Sequence, residues 1–350
     1  MLTLEFVYVD AELGMFLYGV IINHLGKQLV RIVYSSDVHG NELVWLKFLR
    51  AIKDYSADIG LMNGDLTGKK IIPIAKMKDG SWATPPGVFG REWRLKDFEE
   101  VKNLAERIRH AGMYPFLTTY EEVIEISRDP KKQDELFKNM MVESIERWLQ
   151  LALEKVDLSK ARIIINPGND DIFEIDPIIK KYEEETNGRI TYPLDKVVWL
   201  DDKHPMISCE WVNPTPWNTP REEPEDKLKK RLDQKFKMVD EYENLVCNFH
   251  CPPFDSGLDM APKLDKNLKP ILIGGHPVMI PVGSTAVRKV VEEYQPLIGL
   301  HSHIHESPGE VYIGRTLCIN PGSEYDQGVF RAYIFDLEPT GIGKHWRTYG

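Results

Sequence analysis

Five short polar motifs punctuate this chain, and each directly follows an apolar run of β-type composition. In order they are Asp37-Val38-His39, Asn63-Gly64-Asp65, Gly168-Asn169-Asp170-Asp171, His250 and His303-Ile304-His305. The runs before them span 29–34, 59–62, 162–165, 245–249 and 297–300. In an open α/β sheet, residues just past the carboxyl ends of the strands line one crevice. Side chains scattered over most of the sequence are therefore expected to meet there, and nearly all of them are hard or borderline metal ligands.

A chain of 350 residues has room for one large domain with insertions, or for two domains. With 42% hydrophobic and 28% charged residues it has the composition of a globular protein, not a disordered one. The net charge of −10 disfavours a broad nucleic-acid footprint without excluding a local basic patch. Cys209, Cys247, Cys251 and Cys318 are few and irregularly spaced, and read as reduced thiols of a cytoplasmic protein. The longest uncharged N-terminal run, 13–25, is too short to span a bilayer, and neither a positive n-region nor a small-residue cleavage site is visible.

Residues 1–28 alternate weakly, through Leu4, Phe6 and Tyr8, then Phe16, Tyr18 and Val20. They read either as an added hairpin, extending the sheet or forming a homo-oligomer contact, or as an over-extended start ahead of Met15 or later. Residues 29–67 read as a βαβ unit with its helix at 43–55. An insertion at about 69–158 opens with a Gly-, Pro- and Trp-rich loop, 78–93. It continues with a helix carrying Leu95, Phe98, Val101, Leu104, Ala105 and Ile108 on one face, and a long helix near 132–155. We read it as a helical cap beside the catalytic sheet. Asp176 and Pro177 mark a helix start. A second insertion, about 201–243, holds a Pro-rich loop and a charged helix at 224–243 whose interleaved acids and lysines read as a solvated face. Residues 29–350 thus form one domain.

Asp37 and His39 alternate at a strand end, so both can turn to one side and chelate one cation. Gly64 permits a sharp backbone turn before Asp65, and a carboxylate with two oxygens suits bridging two cations. Taken singly, Asp37 could cap a helix, Gly64-Asp65 mark a turn, Asn169 sit in a structural turn and His250 pack in a core. The ordered set is what singles them out.

That set resembles the calcineurin-like metallophosphoesterase superfamily, whose pattern is DxH, GD, GNH, a lone H, then GHxH. Gly64-Asp65-Leu66-Thr67-Gly68, His303-Ile304-His305-Glu306-Ser307 and Asn320-Pro321-Gly322-Ser323 are most similar to the Icc-related phosphoesterases. The resemblance implies a four-layer α/β/β/α sandwich and a binuclear centre. It places Asp37, His39, Asp65 and His305 on one metal, and Asp65, Asn169, His250 and His303 on the other, with Asp65 bridging. Two divalent cations ~3.5–4 Å apart activate water for in-line attack on phosphorus. Imidazole with carboxylate suits Mn, Fe, Co, Ni or Zn better than Mg or Ca, and Mn2+ is the leading expectation.

Three departures stand out. Asp170 replaces the GNH histidine, which in the family stabilises the transition state or protonates the leaving oxygen. An aspartate of ordinary pKa, ~3.9, would be ionised and repel phosphate. Asp170 therefore either has a raised pKa and acts as the acid, or fills space while another residue does that work; we favour the second. Ser302 replaces the Gly of GHxH. The Asp-Arg-Gly continuation of Ser/Thr protein phosphatases is missing.

The implied activity is hydrolysis of a small phosphoester, a phosphodiester first. A phosphomonoesterase or nucleotidase, and a non-catalytic binding scaffold on the same fold, are the alternatives. Trp82, Trp217, Arg91 and Arg221, in long irregular loops, are candidate substrate contacts. His276, His301 and Cys251 read as structural neighbours of the site, and His24, His110, His204 and His345 as surface residues.

Overall fold

The computed structural model describes residues 29–350, so the N-terminal strands expected within 1–28, and His24, lie outside the described residues. The described chain begins with strand β1 (Val30–Ser35), helix α1 (Glu42–Asp54) and strand β2 (Ile59–Asn63). Helix α1 starts where the Asn41 side chain accepts a hydrogen bond from the Val44 amide at 3.1 Å, the usual N-cap device. Next come β3 (Ile71–Lys76), β4 (Trp82–Ala83), β5 (Arg94–Leu95), α2 (Phe98–Arg109), β6 (Tyr114–Thr119), α3 (Tyr120–Ser127) and α4 (Pro130–Lys155). The middle of the chain supplies β7 (Arg162–Asn166), α5 (Asp176–Glu185), β8 (Ile190–Thr191), β9 (Val198–Trp199), β10 (Pro205–Cys209), α6 (Glu225–Phe236) and β11 (Val246–Phe249). Four short strands follow, β12 (Met260–Pro262), β13 (Leu272–Ile273), β14 (His276–Pro277) and β15 (Met279–Pro281). The chain ends with α7 (Thr285–Tyr294), β16 (Ile298–Leu300), β17 (Gly309–Ile313), β18 (Thr316–Asn320), β19 (Arg331–Glu338) and β20 (Gly341–Tyr349).

Two six-stranded sheets form the centre, in the orders β20-β19-β1-β2-β7-β8 and β17-β18-β16-β11-β10-β9. Strands β1, β2, β7 and β8 are parallel, as are β10, β11, β16 and β18. The period-2 alternation of strand side chains then sets the layers. Ile32, Tyr34, Leu61 and Ile164 face Met206, Val246, Leu300 and Ile319 across the middle of the sandwich. On the outer face of the first sheet, Val33, Met62 and Ile163 pack under Trp45 and Phe48 of α1, Trp148 of α4 and Ile179 of α5. On the outer face of the second, Ile207, Cys247 and Phe249 pack under Leu232 and Phe236 of α6 and Val287 and Val291 of α7. This is the four-layer α/β/β/α sandwich. All four cysteines are free and buried, and among the described residues no helix is long and apolar enough to cross a membrane.

The insertion at 69–158 differs from the helical cap expected. It carries a four-stranded sheet, β5-β4-β3-β6, with its own small core of Ile72, Ile74, Val101, Leu104 and Ile108 under α2. Strands β3 and β6 are hard to read because each holds a proline, Pro73 and Pro115, which usually argues against a strand. Its last helix, α4, is built into the main domain through Ile145, Trp148, Leu149 and Ala152. The segment 201–243 is no separate insertion either: it supplies the inner strand β10 and helix α6, which ends at Phe236, short of 243. The N-terminus of α5 is preceded by Ile175, and Asp176 is its first residue rather than its cap.

Trp45 joins α1 to α4: its ring stacks on Trp148 at 5.2 Å and its indole N–H donates to the Trp148 carbonyl at 3.1 Å. Trp45→Ala should cost about 3–5 kcal/mol, the range for emptying a packed aromatic site. Urea unfolding at an unchanged slope would measure it as a lower midpoint.

Candidate metal centre

Every motif singled out in the sequence lies past the carboxyl end of a parallel strand, β1, β2, β7, β11 or β16. The strands point their ends into one crevice where the two sheets meet. One atom each of Asp37, His39, Asp65 and His305 lie within 4.8 Å of one another, and so do atoms of Asp65, His250 and His303. Asn169 joins the second group, its Oδ1 being 2.9 Å from His250 Nε2. Asp65 reaches both, with Oδ2 3.6 Å from His39 Nε2 and Oδ1 3.4 Å from His250 Nε2. The two sets share Asp65 and nothing else. Carboxylate and amide oxygens and imidazole nitrogens converging at this spacing are a donor set that fits divalent transition metals.

The local backbone differs from the extended strand ends expected. Asp37, His39, Asp65 and His303 have φ values of 51°, 40°, 48° and 69°. The left-handed region is uncommon for residues with a Cβ. The strands end before these residues, and the chain must turn sharply out of the sheet to aim side chains into the crevice. Two glycines make room. A Cβ on Gly64 would lie 2.2 Å from the His250 ring, and one on Gly168 would lie 2.3 Å from the Asp65 amide nitrogen.

Hydrogen bonds fix how each side chain presents its donor. Asn169 Nδ2 donates to Thr219 Oγ1 at 2.9 Å, which turns its Oδ1 towards His250, and Thr219 is itself held by the Glu222 carboxylate at 2.6 Å. Ser302 Oγ lies 2.7 Å from His250 Nδ1 and donates to the Asn63 carbonyl at 3.1 Å, leaving Nε2 facing the crevice. Asp37 accepts from Ser36 Oγ at 2.5 Å and from the His303 amide at 3.3 Å. Asp171 is fully buried and accepts from the amides of Leu66, Thr67 and Gly168 and the Thr67 hydroxyl at 2.8–3.0 Å. It thereby clamps the Asp65 loop to the Asn169 loop.

The electrostatics favour cations. Burial alone would depress the His250 imidazole, but Asp65 and Asp37 outweigh it and pull it up to about 9. Burial likewise works against ionised Asp65, yet His250 and His39 hold its carboxyl well below the ordinary range. His39 and His303 are pushed down, mainly by burial, to about 3 and about 4. Asp170 is raised to about 6, by burial first and then by Asp65, against the opposing pull of Lys69. Its Oδ2 is 2.5 Å from Lys69 Nζ and 3.6 Å from His39 Nδ1.

Sequence reasoning missed Lys69, Thr219 and Tyr325, and gave Asp171, the last residue of its motif, no role of its own. The Tyr325 ring packs 4.5 Å from that of His39 and borders a cavity of about 440 Å3 with His305, Ser323 and Arg331. Lys69 follows Asp65 in the same loop, whereas Thr219 and Tyr325 carry no local signal. Two expectations are corrected. Arg221 is no substrate contact: it is buried, paired with Asp176 at 2.7 Å, and donates to the Asp171 carbonyl at 2.9 Å. His204 is no surface residue: it is fully buried with Nδ1 2.8 Å from the Asp201 carboxylate. Arg91 and Trp217 are exposed, Trp82 is half-buried, and Arg91 stacks on Trp93 at 3.5 Å. His301 and Cys251 are buried beneath the site, whereas His276 is exposed on β14.

Asp171→Ala should lower stability by about 3 kcal/mol, because it leaves buried amides without their charged acceptor. It should also weaken metal retention roughly 10–100-fold, as loss of a supporting partner does. Unfolding curves and metal content after dialysis measure the two effects separately.

No family model matches this sequence, and no curated protein does. Solved structures do match. One aligns with a TM-score of 0.55 at 14% identity, covering 92% of this chain and 98% of that one. TT1561 of Thermus thermophilus aligns at 0.49 and 13% identity, over 91% and 98% of the two chains. A structure described as an archaeal phosphodiesterase aligns at 0.35 and 11% identity, over 92% and 100%. The first of these matches runs nearly the whole length of both chains. The chain shares its fold with that solved structure, and the layers are those implied by the resemblance to the calcineurin-like metallophosphoesterases.

Proposed function

We propose that this protein is a metal-dependent phosphoesterase acting on phosphodiesters. The observation that carries the reading is the single carboxylate, Asp65, standing in both ligand groups at once. Asp37, His39, Asp65 and His305 would hold one divalent ion, and Asp65, Asn169, His250 and His303 the other, with Mn2+ the leading candidate. Such a pair supplies a nucleophilic water at neutral pH and neutralises charge on the phosphoryl group.

The remaining chemistry falls to the chain itself. Lys69 stands beside the centre, its Nζ held by Asp170. Burial works against its charge, but Asp170 raises its pKa above the ordinary lysine value. It therefore brings a permanent cation to the place where the family uses its histidine, and can bind a phosphoryl oxygen as negative charge develops there. Asp170 is the positioning residue for that lysine, which explains a carboxylate at a point where it would otherwise repel phosphate. The Tyr325 ring packs against those of His39 and His305, at 4.5 and 5.7 Å.

The reading is tested with bis(p-nitrophenyl) phosphate and p-nitrophenyl phosphate in Mn2+, with metal content measured on the same samples. Diester turnover should vanish in chelator, return with Mn2+, and be lost together with bound metal in Asp65→Asn. Full activity in chelator would contradict it, and a stronger rate on the monoester would move the substrate class. Lys69→Met should lower kcat on the diester roughly 10²–10³-fold, the usual cost of removing one oxyanion-stabilising group. Lys69→Arg should recover part of it. Asp170→Asn should lower kcat less than Lys69→Met, since the lysine remains but is no longer held.

A further inference from the structure

Lys69, whose Nζ is held by Asp170, also lines a cavity of about 610 Å3 that the proposed chemistry does not use. Lys69 and Lys70 line it together with Ile71 and Pro73 of β3, Phe116 of β6, Val123 and Ile126 of α3 and Phe137 of α4. The volume falls in the range of small-molecule pockets. A second feature points the same way. Helix α3 buries none of its residues, although Val123, Ile124 and Ile126 lie along it. Phe116 and Phe137 are also only half-buried. An apolar wall left partly open beside a phosphate-binding centre suits a ligand that is anionic at one end and apolar at the other.

The polar groups of the wall narrow the class. The Gln133 amide nitrogen donates to the carbonyls of Ile126 and Ser127 at 3.1 and 3.0 Å. Ser127 Oγ donates to the Ile124 carbonyl at 2.8 Å, and Asp134 pairs with Lys138 at 3.1 Å. These groups are engaged with the protein itself, so the wall is poorly equipped to read the edge of a nucleobase.

We propose that this cavity takes an alkyl or acyl chain of the phosphoester whose phosphoryl group sits at the metal centre and Lys69. The inference rests on the phosphoesterase reading and assigns its substrate class: phosphoesters with an aliphatic substituent. The phosphoryl charge matches Lys69 and Lys70 of the lining, and the chain fills the space between β3, β6, α3 and α4.

Calorimetric titration of the full-length, Mn2+-loaded protein with methyl-, butyl- and octylphosphonate tests it. Affinity should rise about fourfold for each methylene that enters the cavity, from the transfer free energy of a CH2 group. Ile126→Glu, which sets a carboxylate in the wall, should bring the octyl-to-methyl affinity ratio towards one. Val123→Thr, close in shape and milder, should lower the ratio less. Equal affinities for the three phosphonates, or a ratio unchanged in both variants, would overturn the proposal. Turnover of methyl p-nitrophenyl phosphate, measured alongside, reports on the phosphoesterase reading alone. Turnover with flat affinities would remove the aliphatic site and keep the enzyme; rising affinities without turnover would do the reverse.

Discussion

The Asp65 carboxylate organises the rest of this molecule. It is 2% exposed, sits on a left-handed backbone, and lies within 3.6 Å of imidazoles from loops following β1 and β11. A buried carboxylate costs several kcal/mol unless its lone pairs are met, and strained backbone adds roughly 1–3 kcal/mol. Such a residue persists only where its surroundings determine it from several sides. Here the Asp170 amide donates to its Oδ1 at 3.0 Å, and Asp171 holds the amides of the next two residues. The loops after β2 and β7 are thus one unit, and the arrangement of the candidate ligands follows from that clamp.

The second requirement is that two sheets meet at a fixed register. The first sheet supplies Asp37, His39, Asp65 and Asn169, and the second His250, His303 and His305, so a slip between sheets would split both ligand groups. Apolar layers alone are tolerant of small slides, whereas directional hydrogen bonds are not. Below the site a buried chain of such bonds crosses the interface. Asn166 Nδ2 donates to Asn63 Oδ1 at 2.8 Å, Asn63 Nδ2 to the Tyr34 hydroxyl at 3.0 Å, and Tyr34 to the His301 carbonyl at 2.5 Å. Ser302, standing where the family pattern has glycine, adds another stitch by donating to the Asn63 carbonyl.

The ligand loops were legible in the sequence because their signal is local. Each is a short run of ligand-type residues directly after an apolar strand, and the sheet topology gathers strand ends without further information. What was not legible depends on partners far along the chain. Strand β3 pairs with β6 some forty residues later, and prolines in both hide their period. Arg221 looks like a loop cation until Asp176 and the carbonyls of Asp171 and Ile172 close around it. His204 gives no pattern because its burial comes from β10 becoming an inner strand. Lys69 and Asp170 are separated by about a hundred residues, most of them in the insertion, so their pairing could not be read from spacing.

That pairing also explains why the insertion sits where it does. The chain leaves Asp65, passes through Lys69 and enters β3 within a few residues, so the insertion's sheet begins where the metal loop ends. The Gly68 amide donates to the Tyr114 hydroxyl at 2.6 Å, tying the same loop to the start of β6. Tyr114 in turn packs edge-on to Phe137 at 6.1 Å, and Phe137 lines the apolar cavity. Helix α4 carries that contact into the main core through Trp148. The loop that carries Lys69 is thereby tied through Tyr114 and Phe137 to the insertion's sheet and to α4. Asp171, which accepts from the Leu66 and Thr67 amides, and Asp170, whose amide meets Asp65 while its carboxylate meets Lys69, join that loop to the candidate ligands.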